Sequence, residues 1–255
     1  MARRWTGVGP ASPHGGGTEH DRGTADRIRS RLRRRAAPIS KHRPVRIGQW
    51  DRGSSWNDAD EQRSLAPASS RDLVLETRRI LQGDRLRLRP LASTDLRRCV
   101  KWFSDPQIIH FLGRNSPVTL SEEERWFRDY ERRTDEQIFA IEAEGTHIGN
   151  IGLHKIDRLH RKAEVGIVIG EPTFWSKGYG TEAMRTALRY AFGPLSLNKV
   201  SLDVLEYNTR AIRTYERLGF RPEGVHREDI YKDGRFVHVI RMSILARELS
   251  DVPIP

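Results

Sequence analysis

The chain has 255 residues, of which 31% are charged and 36% hydrophobic, and its formal net charge at pH 7 is +11. This length allows one or two domains, and the single cysteine excludes an internal disulfide. No stretch approaches the roughly 18 uninterrupted apolar residues of a membrane-spanning helix, and no apolar signal segment follows the N-terminus, so we expect a cytoplasmic protein without a membrane partner.

The N-terminal part of the chain differs in composition from the rest. Most of the net positive charge lies in the first 80 residues, which include the run Arg31-Leu32-Arg33-Arg34-Arg35 and show no sustained apolar period. Such a segment cannot bury enough apolar surface to offset its ordering entropy. We predict a disordered Arg-rich tail over residues 1–78, one folded domain over residues 79–248 and a short tail over residues 249–255. The arginines fit either a nucleic-acid partner or a merely solvated basic tail.

The folded domain is predicted to begin with a strand and two helices. Alternation over residues 84–90 predicts a half-exposed strand with its leucines inward. Ser93 or Thr94 is expected to cap the first helix, which carries an apolar face. The spacing of Ser121 and Glu124 is that of a capping box and predicts that the second helix starts at Ser121.

Strands dominate the next part of the chain. Residues 137–141 and 146–156 predict a hairpin joined at Glu144-Gly145. β-Branched residues crowd residues 163–169, which predicts a buried central strand. Further strands are predicted over residues 199–204 and 237–245, the last of them preceded by a hairpin with an Asp233-Gly234 turn.

Two glycines stand just before a predicted helix that runs over residues 181–192. Gly178 and Gly180 let the backbone approach a ligand closely, and the helix directs its positive dipole end to the same place. We therefore expect an anion, such as a phosphate group, at this loop.

A dinucleotide is one candidate for that anion. The pattern Gly178-x-Gly180-x-x-Ala183, with Asp203 or Glu206 beyond it, satisfies the letter of the dinucleotide fingerprint. That fingerprint starts directly after its strand, whereas eight residues separate the predicted strand end from Gly178. The long connection disfavours the dinucleotide interpretation.

A second motif identifies the other candidate. The segment Asn208-x-x-Ala211-Ile212-x-x-Tyr215-Glu216-Arg217-Leu218-Gly219-Phe220 predicts a short helix capped by Asn208 and closed by Gly219. Together with Trp175-Ser176-Lys177-Gly178-Tyr179-Gly180-Thr181-Glu182-Ala183, it resembles the GNAT superfamily of acetyl-CoA-dependent N-acetyltransferases. The branch that it most resembles is that of the RimJ/RimL ribosomal-protein N-terminal acetyltransferases.

This resemblance implies both a fold and a co-substrate. The fold class is α/β (α+β), a single GNAT-type domain whose mixed, mostly antiparallel sheet has a splayed central parallel pair and flanking helices. Acetyl-CoA would be the co-substrate, its pantetheine arm pairing with the backbone of Ile167, Val168 and Ile169. The other implied donor-binding residues are Trp175, Ser176, Lys177, Gly178, Tyr179, Gly180, Thr181, Asn208, Ala211 and Tyr215.

The resemblance also implies catalytic roles. Tyr215 matches the general acid that protonates the departing thiolate, although its helical face is equally typical of a core aromatic. Glu164 matches a position where some relatives place a carboxylate base, although alternation could point it to solvent. Cys99 lies outside both motifs and is interpreted as a small packed residue, so we expect direct attack of the amine in a ternary complex.

The acceptor is implied less specifically than the donor. The segment from Trp102 and the second helix would wall the amine cleft, so Trp102, Phe103, Asp105 and Glu123 are candidates. Each of these taken singly fits better as a core aromatic or a solvated acid. A protein N-terminal amine is the first acceptor hypothesis, and a small amine such as an amino sugar, polyamine or antibiotic is the alternative.

Several polar residues carry no specific prediction. His147, His154 and Glu182 are interpreted as structural polar residues, and His238 as a structural histidine. No spacing of His, Cys, Asp and Glu suits a metal, so we predict none. A non-catalytic acyl-CoA-binding or nucleic-acid-associated module is the alternative from another class, and either a monomer or a homodimer is compatible with the sequence.

Overall fold

The computed structural model describes residues 79–113 and 116–251, together with the single residue Ser30. The predicted tail over residues 1–78 therefore lies outside the described residues, apart from Ser30. Within the described ranges, no helix is both long and apolar enough to cross a bilayer.

An eight-stranded sheet forms the centre of the domain, with strand order β1-β2-β3-β4-β5-β6-β8-β7. Neighbouring strands are antiparallel except for β5 and β6, which are parallel. The predicted mixed, mostly antiparallel sheet is thus confirmed. The strands are β1 (Leu81–Gln82), β2 (Leu86–Pro90), β3 (Gln137–Ala143), β4 (Thr146–Asp157), β5 (Lys162–Ile169), β6 (Lys199–Leu205), β7 (Arg221–Lys232) and β8 (Arg235–Leu245).

The parallel pair at the centre of the sheet forms a fork. Pairing runs from Lys162 opposite Lys199 to Glu164 opposite Ser201 and covers three residue pairs. Beyond Glu164, β5 continues to Ile169 along β4, but its other edge has no strand partner among the described residues. The splay implied by the family resemblance is confirmed.

Helices cover both faces of the sheet. They are α1 (Leu96–Trp102), α2 (Pro106–Ile109), α3 (Leu120–Tyr130), α4 (Tyr179–Phe192) and α5 (Thr209–Arg217). Successive side chains of β3 point to opposite faces. Phe139 and Ile141 therefore pack in one core with α4, whereas Ile138 and Ala140 pack in a second core with α1 and α3.

The start of α1 differs from the prediction. Neither Ser93 nor Thr94 caps it through its side chain; both lie in a 3-10 turn, Ser93–Asp95, that leads into the helix. The carboxylate of Asp95 accepts a hydrogen bond from the Ala92 amide at 2.9 Å and satisfies this end. The helix itself is present where the apolar period predicted it.

The N-cap of α3 lies two residues before the Ser121 that the capping-box spacing predicts. Thr119, not Ser121, is the N-cap, and its hydroxyl accepts from the Glu122 amide at 3.3 Å. The Glu122 carboxylate accepts in return from the Thr119 amide at 2.8 Å, which completes a capping box. Ser121 is the second residue of the helix.

Two tight turns match their sequence signals. Glu144 and Gly145 adopt φ of 52° and 71° between β3 and β4, and Asp233 and Gly234 adopt 49° and 79° between β7 and β8. Left-handed conformations at both central positions are those of a hairpin turn that suits strand twist. Both predicted hairpins are confirmed.

Candidate active site

A cavity of about 400 Å³ opens where β5 and β6 splay. Its walls come from the free part of β5, the loop before α4, the N-terminal turns of α4, one face of α5 and the α2 segment. Most residues predicted for the donor site are thus brought to one place. Those that line the cavity are Ile167, Val168, Ile169, Trp175, Ser176, Gly178, Tyr179, Gly180, Thr181, Asn208, Ala211 and Tyr215.

One wall is the unpaired edge of β5. Ile167, Val168 and Ile169 lie beyond the last pair of the fork and line the cavity. The Trp175 indole donates to the Ile169 carbonyl at 2.8 Å and so occupies one backbone acceptor at the strand end. The rest of this edge can accept an extended ligand in the manner of an added strand.

The loop before α4 forms the end of the cavity. Gly178 is the N-cap of α4 with φ of +88°, and Ser176 has φ of +60°. A left-handed residue before a helix turns backbone N–H groups toward one point, where the helix dipole also favours negative charge. Lys177, predicted here, does not line the cavity; its ammonium lies 5.9 Å from the Phe174 ring centroid.

The first turns of α5 form the opposite wall. Asn208 caps this helix by accepting from the Ala211 amide at 3.2 Å, as predicted. Tyr215 lies about two turns after Asn208, and its ring is 5.9 Å from that of Phe220. Among the described residues none hydrogen bonds to the Tyr215 hydroxyl, and burial raises the pKa of this group to about 12. A phenol in this environment stays protonated at neutral pH.

Glu164 lies at the closed base of the fork and does not line the cavity. Its carboxylate accepts from Arg241 at 2.8 Å and pairs with Lys155 at 2.8 Å. Burial by itself would raise the pKa of this carboxyl, but the two cationic partners outweigh it and lower the pKa below its usual value. A carboxylate held in this way is a weak proton acceptor and does not line the cavity, which argues against the base role.

The predicted acceptor segment contributes different residues from those expected. Trp102 and Phe103 are buried core aromatics, which confirms their structural interpretation. Asp105 caps α2 by accepting from the Gln107 amide at 2.8 Å, and Glu123 is buried rather than solvated. None of the four lines the cavity; Ile108, Phe111 and Leu112 do.

We call residues 106–112 the α2 wall. Side chains of Lys232 and Tyr207 hydrogen bond to its backbone. Lys232, only 4% exposed, donates to the Ile109 carbonyl at 2.8 Å and to the Leu112 carbonyl at 2.9 Å. The Tyr207 hydroxyl donates to the His110 carbonyl at 2.6 Å. Three backbone acceptors of the α2 wall are therefore satisfied by side chains that are remote in sequence.

Sequence reasoning missed several other residues of the cavity. Arg210 extends from α5 toward the aromatic rings of Trp175 and Phe111, with centroid distances of 5.0 and 5.9 Å. An exposed arginine near the start of a short helix carries no local signal for such a contact. The remaining lining residues that were not predicted are Phe174, Met184, Thr214 and Arg217.

Polar residues outside the cavity have structural partners. Cys99 is buried and accepts from the Asn150 amide group at 3.1 Å, and burial raises the pKa of its thiol to about 12. His147 lies 2.7 Å from the Asn150 side-chain oxygen, and His238 accepts from the Glu228 amide at 2.9 Å. Within the described part of the chain, no three His, Cys, Asp or Glu side chains are grouped as metal ligands.

Comparison with known proteins gives consistent matches. The family model described as "Acetyltransferase (GNAT) domain" matches residues 85–221. Spermidine N(1)-acetyltransferase of Escherichia coli (strain K12) is 29% identical over 163 residues, which is 64% of this chain and 87% of that protein. The putative ribosomal N-acetyltransferase YdaF of Bacillus subtilis (strain 168) is 33% identical over 169 residues, covering 65% and 87%.

A solved structure agrees with these matches. Spermidine N-acetyltransferase from Vibrio cholerae, in complex with CoA and spermine, superimposes with a TM-score of 0.62 at 30% identity. The match covers 65% of this chain and 98% of that one.

Proposed function

The chain belongs to the GNAT family and is an N-acetyltransferase with acetyl-CoA as its co-substrate, and from this premise we propose that it acetylates a primary amine of a small aliphatic molecule, with polyamines as the first class. The observation that carries the proposed acetyl transfer is the cavity at the fork. It joins an unpaired strand edge, an anion-binding loop and a free phenol in one space.

The donor is proposed to lie along β5 with its pyrophosphate at the loop. Backbone groups of residues 167–169 would pair with the pantetheine amides, and the N–H groups around Gly178 and Gly180 would take the phosphates. This arrangement directs the thioester toward α5. Tyr215 then stands on the opposite wall, where the sulfur would arrive.

The transfer is proposed to proceed in one ternary complex. The neutral amine nitrogen attacks the thioester carbonyl carbon, and a β5 backbone N–H stabilises the oxyanion that forms. Collapse breaks the C–S bond, and the Tyr215 hydroxyl gives its proton to the departing thiolate. Because no His, Asp or Glu is among the described residues that line the cavity, the proton lost by the amine passes to water, and water returns a proton to the Tyr215 phenolate.

The class of acceptor rests on the relatives. Several of them are spermidine N-acetyltransferases, and this gives small amines precedence over the protein N-terminal amine that the sequence resemblance favours. The α2 wall supplies Ile108, Phe111 and Leu112, an apolar surface suited to an aliphatic chain.

A second candidate acceptor is a protein N-terminal amine, as in the RimJ/RimL branch. The observation that favours it is the charge of the cavity, since Arg210 and Arg217 line it and no carboxylate does among the described residues. Two guanidinium groups repel a polycation more strongly than a peptide with one positive charge. The relative YdaF, a putative ribosomal N-acetyltransferase, is compatible with this class.

An acceptor panel separates the two candidates. Thiol release from acetyl-CoA would be measured with spermidine, spermine and putrescine, and with peptides that begin with Ser, Ala or Met. A kcat/KM for a polyamine at least about tenfold above every peptide supports the first candidate; the reverse order supports the second. Acetyl-CoA binding without transfer to any amine would contradict both and favour a non-catalytic module. Gly180→Glu, which places a carboxylate in the first turn of α4, is the negative control.

A further inference from the structure

Arg85 and Glu182 form an ion pair beside residues 176–178, the loop before α4 that we call the glycine loop. Arg85 follows the turn between β1 and β2, and its backbone amide donates to Oε1 of Glu182 at 2.7 Å. Its Nε donates to Oε2 of the same carboxylate at 3.0 Å. Both oxygens of Glu182 are therefore held by one residue that lies 97 positions earlier in the chain.

The same guanidinium also contacts the loop itself. Its Nη1 donates to the Lys177 carbonyl at 3.1 Å, and its Cζ lies 4.7 Å from the centroid of the Tyr179 ring. A Cβ added at Gly178 would lie 3.1 Å from Nη2. Arg85 thus lies against three consecutive residues around the N-terminus of α4.

The charge of Glu182 explains why this contact matters. Glu182 lies in the first turn of α4, where a carboxylate is favoured by the helix dipole. A phosphate bound at the loop needs the same positive potential, and an unpaired carboxylate one turn away would repel it. Glu182 is buried, so water screens this repulsion only weakly.

We propose that Arg85 is a positioning residue for the donor: beside the glycine loop it neutralises the charge of Glu182, so that the loop accepts the pyrophosphate of acetyl-CoA. The inference rests on the proposed placement of the donor along β5. Arg85 is not assigned a catalytic role, since the reacting thioester lies at the other end of the pantetheine arm. The effect of Arg85 is therefore specific to donors that carry a pyrophosphate.

The test uses the full chain, three variants and two donors. Arg85→Met, Glu182→Gln and the double variant would be titrated with acetyl-CoA by calorimetry and assayed with both acetyl-CoA and S-acetylpantetheine, which lacks the pyrophosphate. Arg85→Met is expected to weaken acetyl-CoA binding about 10- to 30-fold, the range for one uncompensated charge near an anion at protein-surface dielectric. Activity with S-acetylpantetheine is expected to change less than about twofold.

The double variant distinguishes charge compensation from simple bracing. Removing the carboxylate as well should restore most of the lost acetyl-CoA affinity, because no uncompensated charge remains. A double variant as weak as Arg85→Met would overturn the proposal, as would an equal loss of activity with both donors. If Arg85→Met does not fold, Arg85→Lys is used instead, because lysine keeps the positive charge and lacks the two-pronged geometry of the guanidinium. An acetyl-CoA affinity within about threefold of wild type supports the proposal, and a larger loss refutes it.

A separate variant tests the placement on which the inference rests. Gly178→Glu puts a carboxylate and a Cβ at the left-handed N-cap of α4. If this variant binds acetyl-CoA as tightly as wild type, the donor does not lie on the loop and the placement itself is wrong. If Gly178→Glu abolishes binding and Arg85→Met has no effect, the placement holds and only the role of Arg85 is refuted.

Discussion

Replacement of Tyr215 by Phe tests the proposed chemistry most directly. Tyr215 lines the cavity, its hydroxyl has no hydrogen-bond partner among the described residues, and its ring packs near Phe220. Phenylalanine keeps the ring and removes only the proton donor. We therefore expect folding to be preserved and catalysis to be lost selectively.

The expected loss of kcat follows from the proposed role of the hydroxyl as a general acid. Loss of a positioned general acid typically lowers kcat by roughly 100- to 10,000-fold, which corresponds to about 3 to 5 kcal/mol of transition-state stabilisation. No protein hydrogen bond is broken, so the melting temperature should change by no more than about 2 °C. Acetyl-CoA binding should also persist, because the proposed contacts of the donor are with backbone groups.

The pH dependence of the wild-type enzyme gives an independent check. Burial raises the pKa of Tyr215 to about 12, so the acid form is present below that value and is lost only as the pH rises through it. The kcat of the wild type should therefore not fall up to a pH of about 10. Instead, kcat/KM should rise with pH as the acceptor amine loses its proton.

The assay is thiol release with a saturating amine, accompanied by calorimetric titration of acetyl-CoA. Tyr207→Phe is the matched control, since it also removes one phenolic hydroxyl beside the cleft, the one that donates to His110. Tyr207→Phe is expected to change the KM of the amine. A Tyr215→Phe enzyme that retains kcat within about threefold would mean that Tyr215 is only a packing residue.

Three further outcomes are expected. Gly170→Ala would place a Cβ against the buried Trp102 indole, so chemical denaturation should show that the free energy of unfolding falls by at least about 1 to 3 kcal/mol. An unchanged free energy of unfolding would contradict the described packing. Lys232→Met removes both side-chain bonds to the α2 wall, so steady-state kinetics should show a raised KM for the amine, whereas a change confined to the KM of acetyl-CoA would assign the wall to the donor. Cys99 is buried with a pKa raised to about 12, so iodoacetamide should label it only after unfolding; rapid labelling of the native enzyme, followed by mass spectrometry, would show that the site opens.

The strands and their turns could be predicted because their signals are local. Alternation at Leu86 and Leu88 reflects a strand with one buried face, and both leucines are indeed in the core. The Glu144-Gly145 and Asp233-Gly234 pairs carry the left-handed conformations that such turns require. In these places the sequence and the tertiary structure favour the same conformation.

The start of α3 was harder to predict from the sequence because two capping patterns overlap there. Thr119 and Glu122 have the same spacing as Ser121 and Glu124, so spacing alone does not rank them. The structure selects the earlier pair, whose hydroxyl and carboxylate exchange hydrogen bonds with the opposite backbone amides. The choice depends on where the chain leaves the preceding loop, which is a tertiary property.

Most residues expected to bind the donor lie together around the cavity, whereas the partners of the charged residues near them could not be predicted. Motif residues such as Gly178 and Asn208 act through backbone conformation and capping, which short sequence patterns encode. The state of Glu164 depends instead on Arg241 from β8 and Lys155 from β4. The same holds for Arg85, whose partner Glu182 lies far along the chain.

The fork has a consequence for the lifetime of the protein in a cell. Three residue pairs join the two halves of the sheet, and the proposed donor lies where further pairs would otherwise form. A ligand that binds only the folded chain stabilises it by mass action, by about 2.7 kcal/mol at a concentration one hundred times its dissociation constant. The bound co-substrate would then pair with the free edge of β5 as an additional strand does, and it would stabilise the sheet only while it is bound. A cell that is rich in acetyl-CoA would hold more of this enzyme folded and protected from proteases than a starved one.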